Sequence, residues 1–522
     1  MWRAKSSLKG TCVNDSHLLE QEKREVTKLK TIFGLSYIWQ GASELIATPM
    51  TFFIKEGLKL SDSWGQIFSG ATTMGWLIKP LWGWLSDRFP IGGKHRKPWF
   101  VLMALLAAFA WIAAAIGAWT GRTEVLYFFV VFNMASVGAA FVDVVGDALM
   151  VEHGQRLNKV SKFVNHQWTM FAIAAALAGF VGGWLTGQVR SGNIGYYTIF
   201  FAAAVLPLIA AWAGLRLITD APRNKETSIF PTAAQHEEKR LLAEPTQTFG
   251  KKYGMLITLF FFIFFWNFNP SLGYAKNSFL IDHRGYTPEI FGTLSLLSGS
   301  MFLVSIVCYR MLTSRLLKVK WQHWLYMVIA LALLAFPMGF FAYLEPDHPW
   351  WNALLMGRDA LLALLPEGIS AWINNWNMMS GWNRYVWLDA IVASIASFAV
   401  IPAFLIPLKI AGKGISASGA GMQYAFLMST ANASGTLNGL LGGVLFGWFF
   451  EPSMLSTLSG GILSALSGSF LDIAGTVDKR ILIMELFVWT GALCTVFAIP
   501  FVLWTKHAFD RHRITVSLHE AD

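Results

Sequence analysis

Apolar stretches of about 20 residues recur along this chain, near 31–54, 64–86, 98–119, 125–148, 163–189, 196–218, 254–280, 289–312, 322–344, 385–408, 416–450 and 481–505. Each is long enough for a helix to cross about 30 Å of hydrocarbon. Hydrophobic residues make up 55% of the chain and charged ones 14%, whereas a soluble domain carries about 25% charge. The excess apolar surface requires lipid. The pattern predicts an all-α membrane protein of about twelve transmembrane helices in two halves of about six.

The most informative break between spans is Gly83-Trp84-Leu85-Ser86-Asp87-Arg88 followed by Pro90-Ile91-Gly92-Gly93-Lys94-His95-Arg96-Lys97. Its cations cannot face lipid, so the turn lies in water on the side that attracts Lys and Arg. The loops at 149–162, 313–321 and 409–415 belong to the same side, with Arg156, Lys159, Lys162, Arg315, Lys318 and Lys320. These loops and the tails account for the net charge of +10; it marks topology, and no nucleic-acid groove is indicated. Residues 1–30 are polar and lack a signal-peptide core. The expected organisation is a cytoplasmic tail 1–30, a helical half 31–218, a cytoplasmic linker 219–253, a second half 254–505 and a cytoplasmic tail 506–522. The second half contains a long external segment, 345–383, whose Trp350, Trp351, Trp372, Trp376 and Trp382 suit the headgroup level. Cys12, Cys308 and Cys494 have neither metal-site nor disulfide spacing.

A weak repeat relates the halves. The second span ends in Asp87-Arg88 and the eighth in Tyr309-Arg310 with Arg315, while the first span carries Pro49 after Gln40 and Glu44, and the seventh Pro270 after Asn267 and Asn269. Two such halves around a midplane site form the architecture of the major facilitator superfamily. Within it, Tyr37-Ile38-Trp39-Gln40-Gly41, the run Trp76 to Asp87 with Pro90-Ile91-Gly92-Gly93 and Arg96, and Asp143-Val144-Val145-Gly146-Asp147-Ala148-Leu149-Met150-Val151-Glu152 resemble the folate-biopterin transporter family. Asn269-Pro270-Ser271 and Gly285-Tyr286-Thr287-Pro288-Glu289-Ile290-Phe291-Gly292 extend the resemblance into the second half. It implies secondary active transport of a small anionic heterocycle of folate or pterin type. The chain departs from the family pattern at Gly419-Ala420-Gly421-Met422 and His153-Gly154-Gln155.

Intramembrane charges are the candidate site. Lys79 needs a partner in low dielectric, and Asp143 falls at a similar depth, with Asp147 one turn on along the same face. A Lys79–Asp143 pair toward the central cavity is expected, Lys79 binding the anion and Asp143, Asp147 or Glu44 carrying the proton of a symport. A purely structural ion pair is the alternative. Gln40, Glu44, Asn267, Asn269 and Tyr274 are further substrate-binding candidates, with Gln423, Asn432 and Asn438 able to serve as donors or as interhelical glue. Trp39, Trp76, Phe265 and Trp266 offer stacking surfaces, although with 24 Trp and 41 Phe packing is their commoner use. Gly83, Asp87, Arg88 and Arg96 read as a cytoplasmic gate, Gly83 admitting a close neighbour from the other half and Asp87 holding the start of the eleventh span or a nearby Arg.

No phosphate loop, HExxH or GxSxG is present, so neither ATP-driven pumping nor a membrane hydrolase is expected, and no catalytic, metal or cofactor role is expected. The expected partners are a small-molecule substrate, a proton or cation gradient and the bilayer, with a monomer as functional unit in a cell (inner) membrane and both termini cytoplasmic. The contrasting reading is a non-transporting scaffold or assembly factor for pigments or tetrapyrroles. Topology is directly testable: a cysteine at Thr232 is expected to resist an impermeant reagent applied outside, and one at Asn352 to react; the reverse result overturns the orientation.

Overall fold

The computed structural model describes residues 4–157, 159–219, 249–268, 273–313, 362–380, 382–414, 420–450 and 492–504, with isolated positions between 323 and 360 and at 490 and 507. Most of the 219–253 linker, much of 345–383, Asn269 and Pro270 lie outside these residues, as does the side chain of Gln423. The described chain is helical, with one isolated bridge, Ile91 to Lys94, in the basic turn. Its helices are α1 (Ala4–Ala42), α2 (Ala47–Phe52), α3 (Asp62–Ala71), α4 (Met74–Leu77), α5 (Lys79–Arg88), α6 (Lys97–Trp119), α7 (Val125–Arg156), α8 (Val160–Arg190), α9 (Tyr196–Leu217), α10 (Phe249–Asn267), α11 (Gly273–Arg284), α12 (Pro288–Thr313), α13 (Glu367–Ser380), α14 (Arg384–Gly414), α15 (Ala420–Phe450) and α16 (Ala492–Trp504). Among the described residues, 5 helices are long and apolar enough to cross a membrane. The protein is an integral membrane protein.

Two spans read as continuous are broken. The first passes through a 3₁₀ turn at Ser43–Ile46 before α2, because Pro49 has no N–H and its ring crowds the carbonyl of residue 45. The second falls into α3, α4 and α5, separated at Thr72-Thr73 and at Ile78. Thr72 and Thr73 turn their hydroxyls onto the carbonyls of Ser69 and Gly70 at 2.9 and 2.7 Å, a back-bonding that bends helices. At the other break Trp82 Nε1 donates to the Gly75 carbonyl at 2.9 Å, and Pro80 suits the new helix start. Lys79 is thereby placed on the first residue of α5.

α1 extends from the polar tail into the first span. Glu22 pairs with Lys159 and Glu25 with Arg156, tying this helix to the turn between α7 and α8. The Lys159 hydrogen bond and charge hold the Glu22 carboxyl below its ordinary range. Helices α6, α7 and α9 pack closely through small residues: a Cβ on Gly138 would meet the Met103 carbonyl at 2.6 Å and Ala107 Cβ at 2.9 Å. Trp382, expected at the headgroup level, is instead buried against Trp387, ring centroids 4.8 Å apart.

Among the described residues, the helices up to α9 meet those from α10 on at two close backbone crossings, besides the contact of α3 with α11. α8 meets α12 where Gly183 faces Gly292, Gly179 faces Ser295 and Ala176 faces Gly299. α3 meets α15 where Gly70 faces Gly439 and Leu440, so closely that a Cβ on Gly70 would lie 2.9 Å from their backbone atoms. Small residues let backbones approach this closely in lipid, where no hydrophobic force between helices operates. Among the described residues, a Cβ on Gly83 would have Val144 Cγ1 at 3.5 Å, a looser surrounding than that of Gly70.

Gly138→Ala and Gly146→Ala separate contact from propensity. Alanine gains about 1 kcal/mol of helix propensity at either site, but overlap at Gly138 costs about 1–3 kcal/mol, whereas the nearest atom to a Cβ on Gly146 is Ser36 Oγ at 3.6 Å. Stability against unfolding in detergent is expected to fall for Gly138→Ala and to hold or rise for Gly146→Ala.

Candidate substrate and gating site

The break at Ile78 delivers Lys79 into a protein interior where a lone ammonium is costly. Its relative exposure is 4%, and a carboxylate and an indole ring receive it. Lys79 Nζ donates to Asp143 Oδ2 as a buried ion pair. Gln40 Nε2 donates to the other oxygen, Asp143 Oδ1. The ammonium also lies 4.7 Å from the Trp76 ring centroid, a cation–π contact strengthened by desolvation. One turn along α7, Asp147 Oδ1 accepts from the Tyr37 hydroxyl at 2.9 Å. Tyr37 and Gln40 of α1, Lys79 of α5, and Asp143 and Asp147 of α7 thus form one polar seam across three spans.

Beside Asp143 a cavity of about 10 Å³ is lined by Ser36, Trp39, Gln40, Ser43, Ala139 and Val142. That is the scale of a single water. A bicyclic solute does not fit there in this conformation. Glu44 stands apart from the seam: it lies in the 3₁₀ turn, is exposed, and its Cβ is 3.8 Å from the position a Gly179 side chain would take. Its carboxyl therefore lies beside the α8–α12 crossing, between the two helix sets.

The second-half candidates do not join this seam. Asn267 Nδ2 donates to the Ile263 carbonyl of its own helix at 2.8 Å, and its carbonyl accepts from Asn438 Nδ2 at 2.6 Å. The side-chain bond lies within α10 and the Asn438 bond, to the backbone carbonyl of Asn267, joins α10 to α15, so in this conformation Asn267 stands apart from the seam. Tyr274 is 4% exposed and its ring covers Gly65, where a Cβ would overlap the ring carbons. It plugs the interface between α3 and α11 in this conformation. Asn269 lies outside the described residues.

At the basic turn Arg96, 2% exposed, is the centre. It pairs with Asp87 at 2.7 Å and Glu152 at 2.9 Å, and donates to Ser86 Oγ at 2.9 Å. Burial opposes its charge, but the carboxylates of Glu152 and Asp87 outweigh burial and hold its pKa above the ordinary value. These partners belong to α5 and α7, so the cluster braces the ends of two spans of one helix set. The expected contact of Asp87 with the start of the eleventh span concerns side chains outside the described residues. Arg88, on the last residue of α5, is exposed.

Several working residues are not distinguished by sequence alone. Tyr37 and Glu152 lie inside the family-like motifs with nothing in their spacing to give them a role. Lys55, Asp62, Gln66, Ser278 and Asp282 look like ordinary loop and span-end polars, yet they join the two helix sets: Lys55 Nζ meets Ser278 Oγ and Asp282 Oδ2, each at 2.7 Å, and Gln66 accepts from the Tyr274 and Ala275 amides at 2.7 and 3.1 Å. The usable signal is Gln66 itself, an amide within an apolar span.

Comparison with known proteins agrees with this architecture. A model of the BT1 family matches residues 40–336, more than half of the chain. A probable folate-biopterin transporter 4 of Arabidopsis thaliana is 32% identical over 207 residues, covering 38% of this chain and 41% of that protein. A folate-biopterin transporter of Synechocystis sp. is 25% identical over 417 residues, covering 79% of this chain and 73% of that protein. The match thus spans less than half the length of the Arabidopsis relative and about three quarters of the cyanobacterial one. Among solved structures, a D-xylose-proton symporter superposes with a TM-score of 0.60 at 15% identity, over 92% of this chain and 98% of that one. A POT family transporter gives 0.60 at 12% identity, over 93% and 98%. These likenesses show a facilitator-type helical fold.

The Arg96 brace makes a contrast within one turn. Arg96→Met is expected to lower unfolding stability by about 3–5 kcal/mol, since two carboxylates lose their cation, while Arg88→Met should change it by under about 0.5 kcal/mol. Equal melting curves in detergent would remove Arg96 from the structural account.

Proposed function

The chain belongs to the BT1 family, and from that premise we propose that it is a secondary transporter that moves a small anionic heterocycle of folate or pterin type by alternating access, together with a proton. The observation that carries this reading is the buried Lys79–Asp143 pair with Gln40 on its second oxygen. The names of the relatives support the substrate class, and the fold supports the transport cycle.

The chemistry follows from charge balance. With no cargo bound, Asp143 neutralises Lys79. A carboxylate or deprotonated pterin arriving at Lys79 displaces Asp143, and a carboxylate left without its cation in low dielectric takes a proton. One proton then accompanies each anionic group, and release of the cargo restores the original pair. Asp147, held by Tyr37 one turn away, is the relay for that proton, and Glu44 meets the cargo between the helix sets. Gln40 keeps Asp143 oriented through either half of the cycle. The helix breaks at Ile78 and Pro49 allow Lys79 and Glu44 to shift without unwinding a full span.

In this reading the conformation is open toward the Arg96 end. The close crossings of α3 with α15 and α8 with α12 concentrate toward the opposite end, which is external in the topology expected from the loop charges. The two tails and the linker are then cytoplasmic, and the two helix sets rock about these crossings.

Uptake into proteoliposomes under an imposed proton gradient is the test. Wild-type protein is expected to accumulate labelled folate or pterin, and a protonophore to abolish accumulation. Lys79→Ala and Asp143→Asn should each lose uptake and lower stability by about 3–5 kcal/mol, because each leaves a buried charge uncompensated. The double variant should recover the stability but not the uptake. Recovery of both identifies a structural pair; absence of any saturable uptake by folded wild-type protein favours the scaffold reading.

A further inference from the structure

Helix α11 carries two stripes held by different partners. Tyr274, Ser278 and Asp282 recur at four-residue spacing, as do Lys276, Leu280 and Arg284; the stripes are offset by two residues, about 200° around the helix. The first stripe belongs to the N-terminal helix set. Ser278 Oγ donates to Asp62 Oδ1 at 2.5 Å, Lys55 Nζ bonds Ser278 and Asp282, and the Tyr274 ring joins the apolar cluster of Ile46, Phe53 and Phe68. The second stripe belongs to α14. Lys276 Nζ pairs with Asp389 Oδ1 at 3.0 Å, and the Arg284 guanidinium lies 4.7 Å from the Tyr385 ring centroid. Leu280 packs into the apolar cluster of Tyr385, Val386 and Phe446.

The two attachments differ in kind. The α14 side is an apolar core with charges at its edge. The N-terminal side is mostly a row of polar bonds with one ring seated on a glycine. Gln66 is central to that row. It is 3% exposed, its Oε1 accepts from the Tyr274 and Ala275 amides, and its Nε2 donates to the Gly439 carbonyl at 3.3 Å. Tyr274 and Ala275 are the second and third residues of α11, so their N–H groups have no acceptor within the helix. Gln66 therefore caps α11 from the other helix set. A side-chain amide suits this: its oxygen serves both N–H groups while its nitrogen reaches the carbonyl of α15.

We propose that α11 is the gate helix of the end opposite Arg96, and that Gln66 is its latch. When the helix sets part at that end, α11 travels with α14, and the bonds that break are those to Gln66, Asp62 and Lys55. The chain permits a pivot at the far end of α11, where Gly285 has φ 69°. Closure also needs Gly65 and Gly70, since a Cβ at either overlaps Tyr274 or the Gly439–Leu440 backbone. Gln66 is thus a positioning residue for the transport cycle, with no contact to cargo required of it.

The inference rests on the alternating-access reading, and its test is conformational so that the two fail separately. Spin labels at Trp64→Cys and His283→Cys, in protein whose native cysteines are alanine, report the distance between α3 and α11 by pulsed double-resonance spectroscopy. Gln66→Met keeps the volume and removes both ends of the latch; it is expected to raise the ratio of long to short distances about tenfold, within the range of ordinary conformational coupling. Gly65→Ala removes no bond and is expected to shift the same ratio in the same direction by excluding the Tyr274 ring. If Gly65→Ala shifts the distances and Gln66→Met does not, the latch is wrong and alternating access stands. If neither shifts them, with or without a loss of melting temperature, both the gate helix and the two-state reading are overturned. Should Gln66→Met not fold, Lys55→Met, at the partly exposed edge of the row, replaces it: a shift of the ratio toward long distances supports the polar row as the closing contact, and an unchanged distribution overturns it.

Discussion

A single buried ammonium sets the terms for the N-terminal helices. An ammonium buried in a medium of low dielectric is costly without an anion in contact, and for Lys79 the molecule meets that need by breaking the second span at Ile78 and bringing α7 alongside. The break has consequences of its own. Trp82 must cover a carbonyl at the interruption, Trp76 lies beside the ammonium, and Gln40 of α1 is drawn onto the free oxygen of Asp143. Three spans are therefore registered against one another by one charge, and Asp147 with Tyr37 continues the seam a turn further on.

The second constraint is the absence of a hydrophobic force between helices in lipid. Where the two helix sets meet, contact comes from glycine and alanine facing backbone, at Gly70 with Gly439 and at Gly183 with Gly292. Such surfaces are closely matched, with Glu44 beside the α8–α12 crossing and Glu289 at its end against Gly187. The polar row from Lys55 to Gln66 adds direction to that interface, because its bonds are satisfied in one arrangement of α3 against α11. At the other end of the same span, Arg96 joins the ends of α5 and α7 within one helix set, and so moves them as a unit. A rigid end and an exchangeable end on the same interrupted span suit a lever.

Much of this is legible in the residues. The apolar stretches match α6, α8, α9 and α12 to within a few residues, because a bilayer imposes both length and composition. Lys79 and Asp143 stand out because charge is rare in such stretches, and equal depth suggests their contact. Asn267 and Tyr274 draw attention for a related reason, as polar atoms in an apolar span, and here the amide bonds its own helix and the tyrosine packs its ring. Many glycines lie near span ends, and composition does not say which of them, such as Gly70, faces a neighbouring backbone.

The sequence by itself determined the membrane setting, the approximate spans, the basic turn and the need for a partner at Lys79, since each follows from transfer energies that act residue by residue. The tertiary structure decided which helices touch. It alone gave Gln66 the amides of Tyr274 and Ala275, gave Arg96 two carboxylates from separate spans, and set Glu44 beside the α8–α12 crossing. The physical reason is that spacing along a helix defines a face, whereas the rotation of that face toward a partner depends on how every neighbouring helix packs.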